Sequence, residues 1–135
     1  MEREFAKGPA KAGMDEMKPR LPCLEPFLQD IKELYGNDLK QIILFGSYAR
    51  KEQTIDSDIN IFVIVDDRPD SVKEKDNALY DASYELTLSS GVTVHPIAVS
   101  KMHFDKWIDV YPLYREIQKD GVVLYDVDNG KGCLI

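Results

Sequence analysis

The stretch Leu44 to Val65, LFGSYARKEQTIDSDINIFVIV, decides how the chain is read. A Gly46-Ser47 pair follows an apolar run, ten residues intervene, and Asp58-Ile59-Asn60 opens a second apolar run. Gln41 to Phe45 is short and rich in β-formers, so it reads as a strand ending at Gly46. Asp58 to Val65 reads as a second strand. Successive side chains alternate, so Ile59, Ile61, Val63 and Val65 share one face while Asp58, Asn60, Phe62 and Ile64 share the other. The outer end of that second face is polar, which marks a site rather than a core. Between the strands, Ser47 opens a short helical turn through Arg50.

This arrangement suits phosphate chemistry. A glycine after a strand lets the backbone approach a phosphate, and the N–H groups and serine hydroxyl that follow can donate to its oxygens. Paired carboxylates at positions 58 and 60 would offer Mg²⁺ oxygen ligands and leave coordination places for substrate phosphates. The cation would then neutralise developing charge and orient an attacking hydroxyl. Either fragment alone is more often an ordinary turn. Their joint spacing carries the argument, and the second carboxylate is missing, because position 60 is Asn.

Outward from this stretch, Leu24, Phe27, Leu28, Ile31, Leu34 and Tyr35 recur at helical spacing, and Gly36 is a natural stop. Asp66-Asp67-Arg68-Pro69 reads as a turn, with Asp70 or Ser71 capping a helix to about Ser89 whose inward stripe includes Leu79, Ala82 and Leu86. Gly91 opens a third strand, Val92 to Val99. Ser100 suits the cap of a short helix through Trp107, Pro112 the first turn of another, and Gly121 its end before a last strand, Val122 to Tyr125. The expected fold class is α/β (α+β): a small mixed β-sheet flanked by helices. Tyr111 and Tyr114 lie three apart near the last helix, a spacing that suits core packing and could also stack a base.

With 135 residues the chain has the length of one domain. Residues 1–20 differ from the rest. Gly8, Pro9, Gly13 and Pro19 interrupt periodicity and five basic residues accompany four acidic ones. This segment reads as a flexible N-terminal leader, part of it attributable to an upstream start or an addition for expression, since Met14 begins a more conventional N-terminus. The longest unbroken apolar run is Ile61 to Val65, so no membrane span is expected. A net charge of −7 disfavours direct nucleic-acid binding, which needs a basic face. Cys23 and Cys133 match no metal spacing and read as free thiols of a cytoplasmic protein.

Gly46-Ser47-Tyr48-Ala49-Arg50-Lys51 followed by Asp56-Ser57-Asp58-Ile59-Asn60 resembles the signature of the minimal nucleotidyltransferases, the small branch of the DNA polymerase β-like superfamily. Their pattern is commonly GSxARGxxxxxSDIDL. The resemblance continues through GVTVHPIAVS and PLYREIQKDGVVLY and spans roughly residues 24 to 125. It implies a nucleotidyltransferase-like domain over residues 21–135. Such proteins transfer a nucleoside monophosphate, usually AMP from ATP, to a hydroxyl acceptor. Carried over, Gly46 and Ser47 would hold the triphosphate, assisted by Arg50 and Lys51, and Asp58 would ligate Mg²⁺.

Two further ligand positions depart from the family. Asn60 stands where the second carboxylate is expected. An amide oxygen still coordinates a hard cation but brings no charge, so affinity should fall. The third carboxylate, on the next strand, is replaced by His95, a poor ligand for Mg²⁺ and a better one for Mn²⁺ or Zn²⁺, or simply a strand-end histidine. Thr93 shares its face and is no better substitute. Asp56 would reach the same face only if the strand began early, and as a turn residue it would not. Lys51 replaces the glycine after Ala-Arg.

Two functions follow as alternatives. One is an ATP-dependent nucleotidyltransferase using Mg²⁺ or Mn²⁺, with catalytic and metal positions Asp58, Asn60 and His95. The other is an inactive member that keeps the fold as antitoxin or regulatory subunit of a partner carrying the HEPN domain. A homo-oligomer is compatible with either.

Overall fold

The computed structural model describes residues 19–66 and 69–129. Most of the leader, the side chains of Asp70 and Ser71 proposed as caps, the Asp67-Arg68 part of the turn, and Cys133 lie outside the described residues. Helix α1, Glu25–Tyr35, buries Phe27, Ile31 and Tyr35. Pro26 sits in its first turn, where a missing N–H costs nothing. Gly36 ends it at φ 55°, its N–H returning to the Lys32 carbonyl. Strand β1, Leu39–Phe45, starts two residues earlier than the sequence suggests. Helix α2 is the single turn Ser47–Arg50, and β2 is Ile59–Val65, one residue shorter at its start than expected.

Helix α3, Pro69–Ser90, runs 22 residues and is followed by β3, Val94–Ser100. The third strand thus begins two residues later than expected and ends one later. The reason is local: Gly91 takes φ 79°, and the Ser90 hydroxyl lies 3.1 Å from the Val92 nitrogen and 3.3 Å from its carbonyl oxygen. Those bonds hold Val92 in the turn and away from the ladder. The Thr87 hydroxyl then accepts the Val94 N–H at 3.0 Å, tying the helix end to the strand start. Helix α4, Lys101–Trp107, is capped as expected, the Ser100 hydroxyl accepting the His103 N–H at 3.0 Å. Helix α5 is Pro112–Asp120 and β4 is Val122–Asp126, one residue longer than expected.

Among the described residues the strands form one mixed sheet in the order β3-β2-β1-β4. β2 and β3 are parallel; β1 is antiparallel to both of its neighbours. The central strand β2 is covered on both faces, which explains its unbroken apolar sequence. On one face Ile59, Ile61, Val63 and Val65 pack with Phe27 and Ile31 of α1 and Leu79 of α3. On the other, Phe62 and Ile64 pack with Ile43, Phe45 and with Tyr114 and Ile117 of α5, edged by Phe104 and Trp107 of α4. The alternation read from the sequence therefore separates the two layers correctly. Leu79 is fully buried in the inward stripe of α3, and Ala82 and Leu86 are partly buried beside it.

Gly121 ends α5 for a different reason from Gly36. Its φ of −67° is ordinary, but a Cβ there would run into the Ile117 carbonyl oxygen and lie 2.6 Å from Cγ2 of Ile43. Close approach of helix end to sheet, not a left-handed turn, demands the glycine. Tyr35, in the α1–α3 seam, donates to Asp76 at 3.3 Å, and burial followed by the neighbouring carboxylate pushes its phenol well above the usual range.

Candidate functional site

The end of the sheet at the start of β2 collects the residues singled out above. Phe45, Asn60 and His95 are register partners across β1, β2 and β3. Since Phe45 and Phe62 belong to the α4–α5 layer, Asp58 and Asn60 open on that side of the sheet. Asp58 lies just before the strand, after a tight turn in which the Thr54 N–H donates to the Ser57 hydroxyl at 2.9 Å and the Ser57 N–H to the Thr54 carbonyl at 3.0 Å. That turn explains Asp56: it is an exposed turn residue whose N–H lies 3.3 Å from the Thr54 hydroxyl, and the strand has not begun there.

Gly46 occupies the decisive backbone position. It is buried, with φ 87° and ψ −157°, a conformation that residues with a Cβ rarely adopt. A Cβ added there would stand 2.5 Å from Nδ2 of Asn60. The glycine thus packs directly on the side chain two residues past Asp58, and one contact joins the two halves of the motif. The Gly46 carbonyl accepts from the N–H groups of Ala49 and Arg50 at 3.0 and 3.1 Å, which winds the α2 turn. Tyr48 is buried and anchors the turn in the core, leaving Ser47 half-buried at its start.

Lys51 closes α2 in the left-handed conformation, at φ 60° and ψ 35°. The glycine usual at this place in the resembling family would adopt it freely; lysine carries a strain of about 1–2 kcal/mol. Part of that is offset because glycine costs about 0.5–1 kcal/mol more to order. Lys51→Gly is therefore expected to raise stability by about 0.5 kcal/mol, read as a higher urea midpoint at unchanged slope.

Arg50 is held by two carboxylates. Its Nε donates to Glu52 at 3.0 Å and its Nη1 to Glu116 of α5 at 2.9 Å. The Glu52 hydrogen bond, with Glu116 adding to it, keeps the guanidinium above its usual pKa. A phosphate at Gly46 would have to compete with both partners for this side chain. Glu116 lies 66 residues away in sequence, and only the folded chain brings it here.

His95 Nε2 stands 3.1 Å from Asp58 Oδ2, with side chains 56% and 45% exposed. The imidazole thus occupies one oxygen of the trio's sole carboxylate. Asp58, Asn60 and His95 do come together, but as one acid, one amide and one imidazole. The amide nitrogen of Asn60 faces Gly46. Among the described residues no group of three or more His, Cys, Asp or Glu is arranged to hold a metal ion. A Mg²⁺ pair wants several anionic oxygens, and this donor set does not fit one.

The tyrosines divide between two uses. Tyr114 is buried and its hydroxyl lies 2.8 Å from Nδ1 of His103, so it is a core residue. Tyr111 is 41% exposed and stacks on Trp107 at a ring separation of 5.6 Å. Cys23 is an exposed free thiol. Among the described residues no helix is long and apolar enough to cross a membrane.

Comparison with known proteins identifies the family and the fold. The family model for the nucleotidyltransferase domain matches residues 24–124. Two provisionally named protein adenylyltransferases of Methanocaldococcus jannaschii are similar to the chain. One is 35% identical over 103 residues, covering 76% of this chain and 95% of that protein. The other is 34% identical over 106 residues, covering 78% and 71%. Among solved structures, a toxin–antitoxin crystal structure with AMP-PNP superposes with a TM-score of 0.51 at 21% identity, covering 77% of this chain and 74% of that one. A point mutant of the toxin–antitoxin MntA-HpeT gives 0.50 at 21% identity, covering 79% and 74%. At that identity the likeness is one of fold.

Proposed function

This chain belongs to the nucleotidyltransferase domain family, and on that premise we propose that it is a nucleotide-binding regulatory subunit whose own transfer chemistry is impaired. The Gly46–Ser47 turn takes the phosphates of ATP: the glycine admits them, and the first-turn N–H groups and the Ser47 hydroxyl donate to them. The observation that carries the impairment is the 3.1 Å contact between His95 Nε2 and Asp58 Oδ2. In the family that carboxylate serves the metal; here an imidazole engages it, and Asn60 adds no charge beside it. The regulated object is a second protein, in keeping with the toxin–antitoxin assemblies that share the fold. A partner carrying the HEPN domain is the reading the family resemblance favours.

The second reading is residual transfer of AMP from ATP to a protein hydroxyl. What favours it is that Asp58, Asn60 and His95 still converge beside Gly46, and that the relatives carry adenylyltransferase names. Here Asp58 would be the chief ligand of a single ion, Mn²⁺ rather than Mg²⁺ because of the imidazole.

Calorimetric titration of ATP in EDTA, Mg²⁺ and Mn²⁺, run beside an assay with label on the α-phosphate, separates the two. The regulatory reading expects ATP to bind without metal, affinity to change by less than about threefold on adding Mg²⁺, and no label to reach protein. Metal-dependent label incorporation that disappears in Asp58→Ala would establish transfer and overturn it.

A further inference from the structure

Helix α3 carries an outward stripe that the nucleotide reading does not use. Tyr80, Tyr84 and Leu88 follow one another at intervals of four and are 52%, 62% and 66% exposed. Side chains four apart are neighbours on a helix surface, so the three form one continuous apolar ridge. Leu79, Ser83 and Leu86 turn the opposite side of the same helix to the core. A large aromatic pair and a leucine left outward on one line is costly in water and is the composition of interface anchors.

The ridge has a charged border. At 100° per residue, Glu74, Asp81 and Glu85 fall along one line beside it. None of these three carboxylates pairs with a basic side chain among the described residues. From Asp76 to Ser90 the helix contains no Lys or Arg at all. Past the acidic line lies a groove of about 440 Å³ between α3 and the start of α1. Its lining includes Pro22, Pro26, Phe27 and Leu86, with Asp30 and Glu85 as its carboxylates. Ridge and acidic line are therefore adjacent features of one exposed face of the helix, and the acidic line separates the ridge from the groove. That face belongs to the α1–α3 layer, across the sheet from the side on which Asp58 and Asn60 open.

We propose that this face docks a different protein through a helix that presents an apolar ridge bordered by Lys or Arg. The charge pattern selects this occupant. A second copy of the chain, crossing at the ridge, would bring Asp81 and Glu85 against its own carboxylates with no Lys or Arg between Asp76 and Ser90 to offset them. A basic helix instead neutralises both and places apolar side chains on Tyr80, Tyr84 and Leu88. The proposal rests on the regulatory reading only in requiring that a partner protein exists; nucleotide binding does not enter it.

The test uses a synthetic 18-residue amphipathic helix of Leu and Lys, a matched peptide with Glu for Lys, and fluorescence anisotropy against the full chain. The Leu/Lys peptide is expected to bind and the Leu/Glu peptide not. Affinity should fall roughly tenfold in Tyr84→Ser/Leu88→Ser and several-fold in Asp81→Asn/Glu85→Gln, about the loss expected for removing interface anchors and border charges. Tyr111→Ser, at an exposed aromatic elsewhere, should leave it unchanged. Equal binding by Tyr84→Ser/Leu88→Ser and the unaltered chain would mean unspecific attraction to an acidic protein and would overturn the proposal. So would sedimentation showing self-association that this double variant abolishes, since the occupant would then be a second copy. ATP titration of the same variant, expected to be unchanged, reports the nucleotide reading separately.

Discussion

Gly46→Ala should lower stability by about 3 kcal/mol and abolish ATP binding, the largest loss expected from deleting so little of the molecule's freedom. Two independent costs add. The backbone at φ 87° and ψ −157° belongs to glycine, and a residue with a Cβ held there is strained by about 1–3 kcal/mol. The new methyl would also stand 2.5 Å from Nδ2 of Asn60, an overpacking that costs about 1–3 kcal/mol unless the amide moves aside. Asn60 is only half-buried, so it can yield in part, which sets the total nearer the lower sum. For a domain of this size the thermal midpoint should fall by roughly 10 °C.

A double-mutant cycle separates the two costs. Asn60→Ala alone should be mild, because the side chain is half-buried at the sheet end. Combined with Gly46→Ala it removes the clash and leaves the backbone strain, so about 1 kcal/mol should return. If Gly46→Ala unfolds within about 0.5 kcal/mol of wild type, the turn relaxes freely and its rigidity cannot be what positions phosphate.

How far the sequence reaches is visible in these residues. The alternation in β2 was legible because a buried strand with one polar end has few other readings, and the spacing from Gly46 to Asn60 could be tied to one contact. The start of β3 was not legible. Side-chain hydroxyls of Thr87 and Ser90 claim backbone groups there, and propensity alone does not register such competition. The pairing of Arg50 with Glu116 was equally hidden, since nothing local links a turn to a helix 66 residues later. The contact of His95 with Asp58 was half legible. The family pattern assigns the His95 of GVTVHPIAVS to the third ligand position, but its hold on the carboxylate depends on the register of β2 with β3. The outward ridge of α3 is present in the sequence only as a spacing of four from Tyr80 to Leu88, and the exposure of all three side chains is what distinguishes it from a second buried stripe.

Asn60→Asp combined with His95→Asp should create the metal dependence that the unaltered chain lacks. Positions 60 and 95 are register partners and Asp58 already contacts residue 95, so three carboxylates would face one another at the sheet end. Without a cation they repel, and at separations of about 4 Å near a surface this should cost on the order of 1–2 kcal/mol of stability after solvent screening. Replacing the imidazole also frees the Asp58 oxygen it now engages. Added Mg²⁺ then meets three anionic ligands, and about tenfold for each restored acid gives on the order of a 100-fold gain in ATP affinity in its presence. The variant should also be stabilised by Mg²⁺ with ATP, by about 2.7 kcal/mol once ligand reaches a hundred times its dissociation constant. Both readouts should stay nearly flat for wild type. A double variant that folds, binds ATP and still ignores Mg²⁺ would mean that the frame around Gly46 has diverged beyond its ligands, and that the lost carboxylates are not what silences the site.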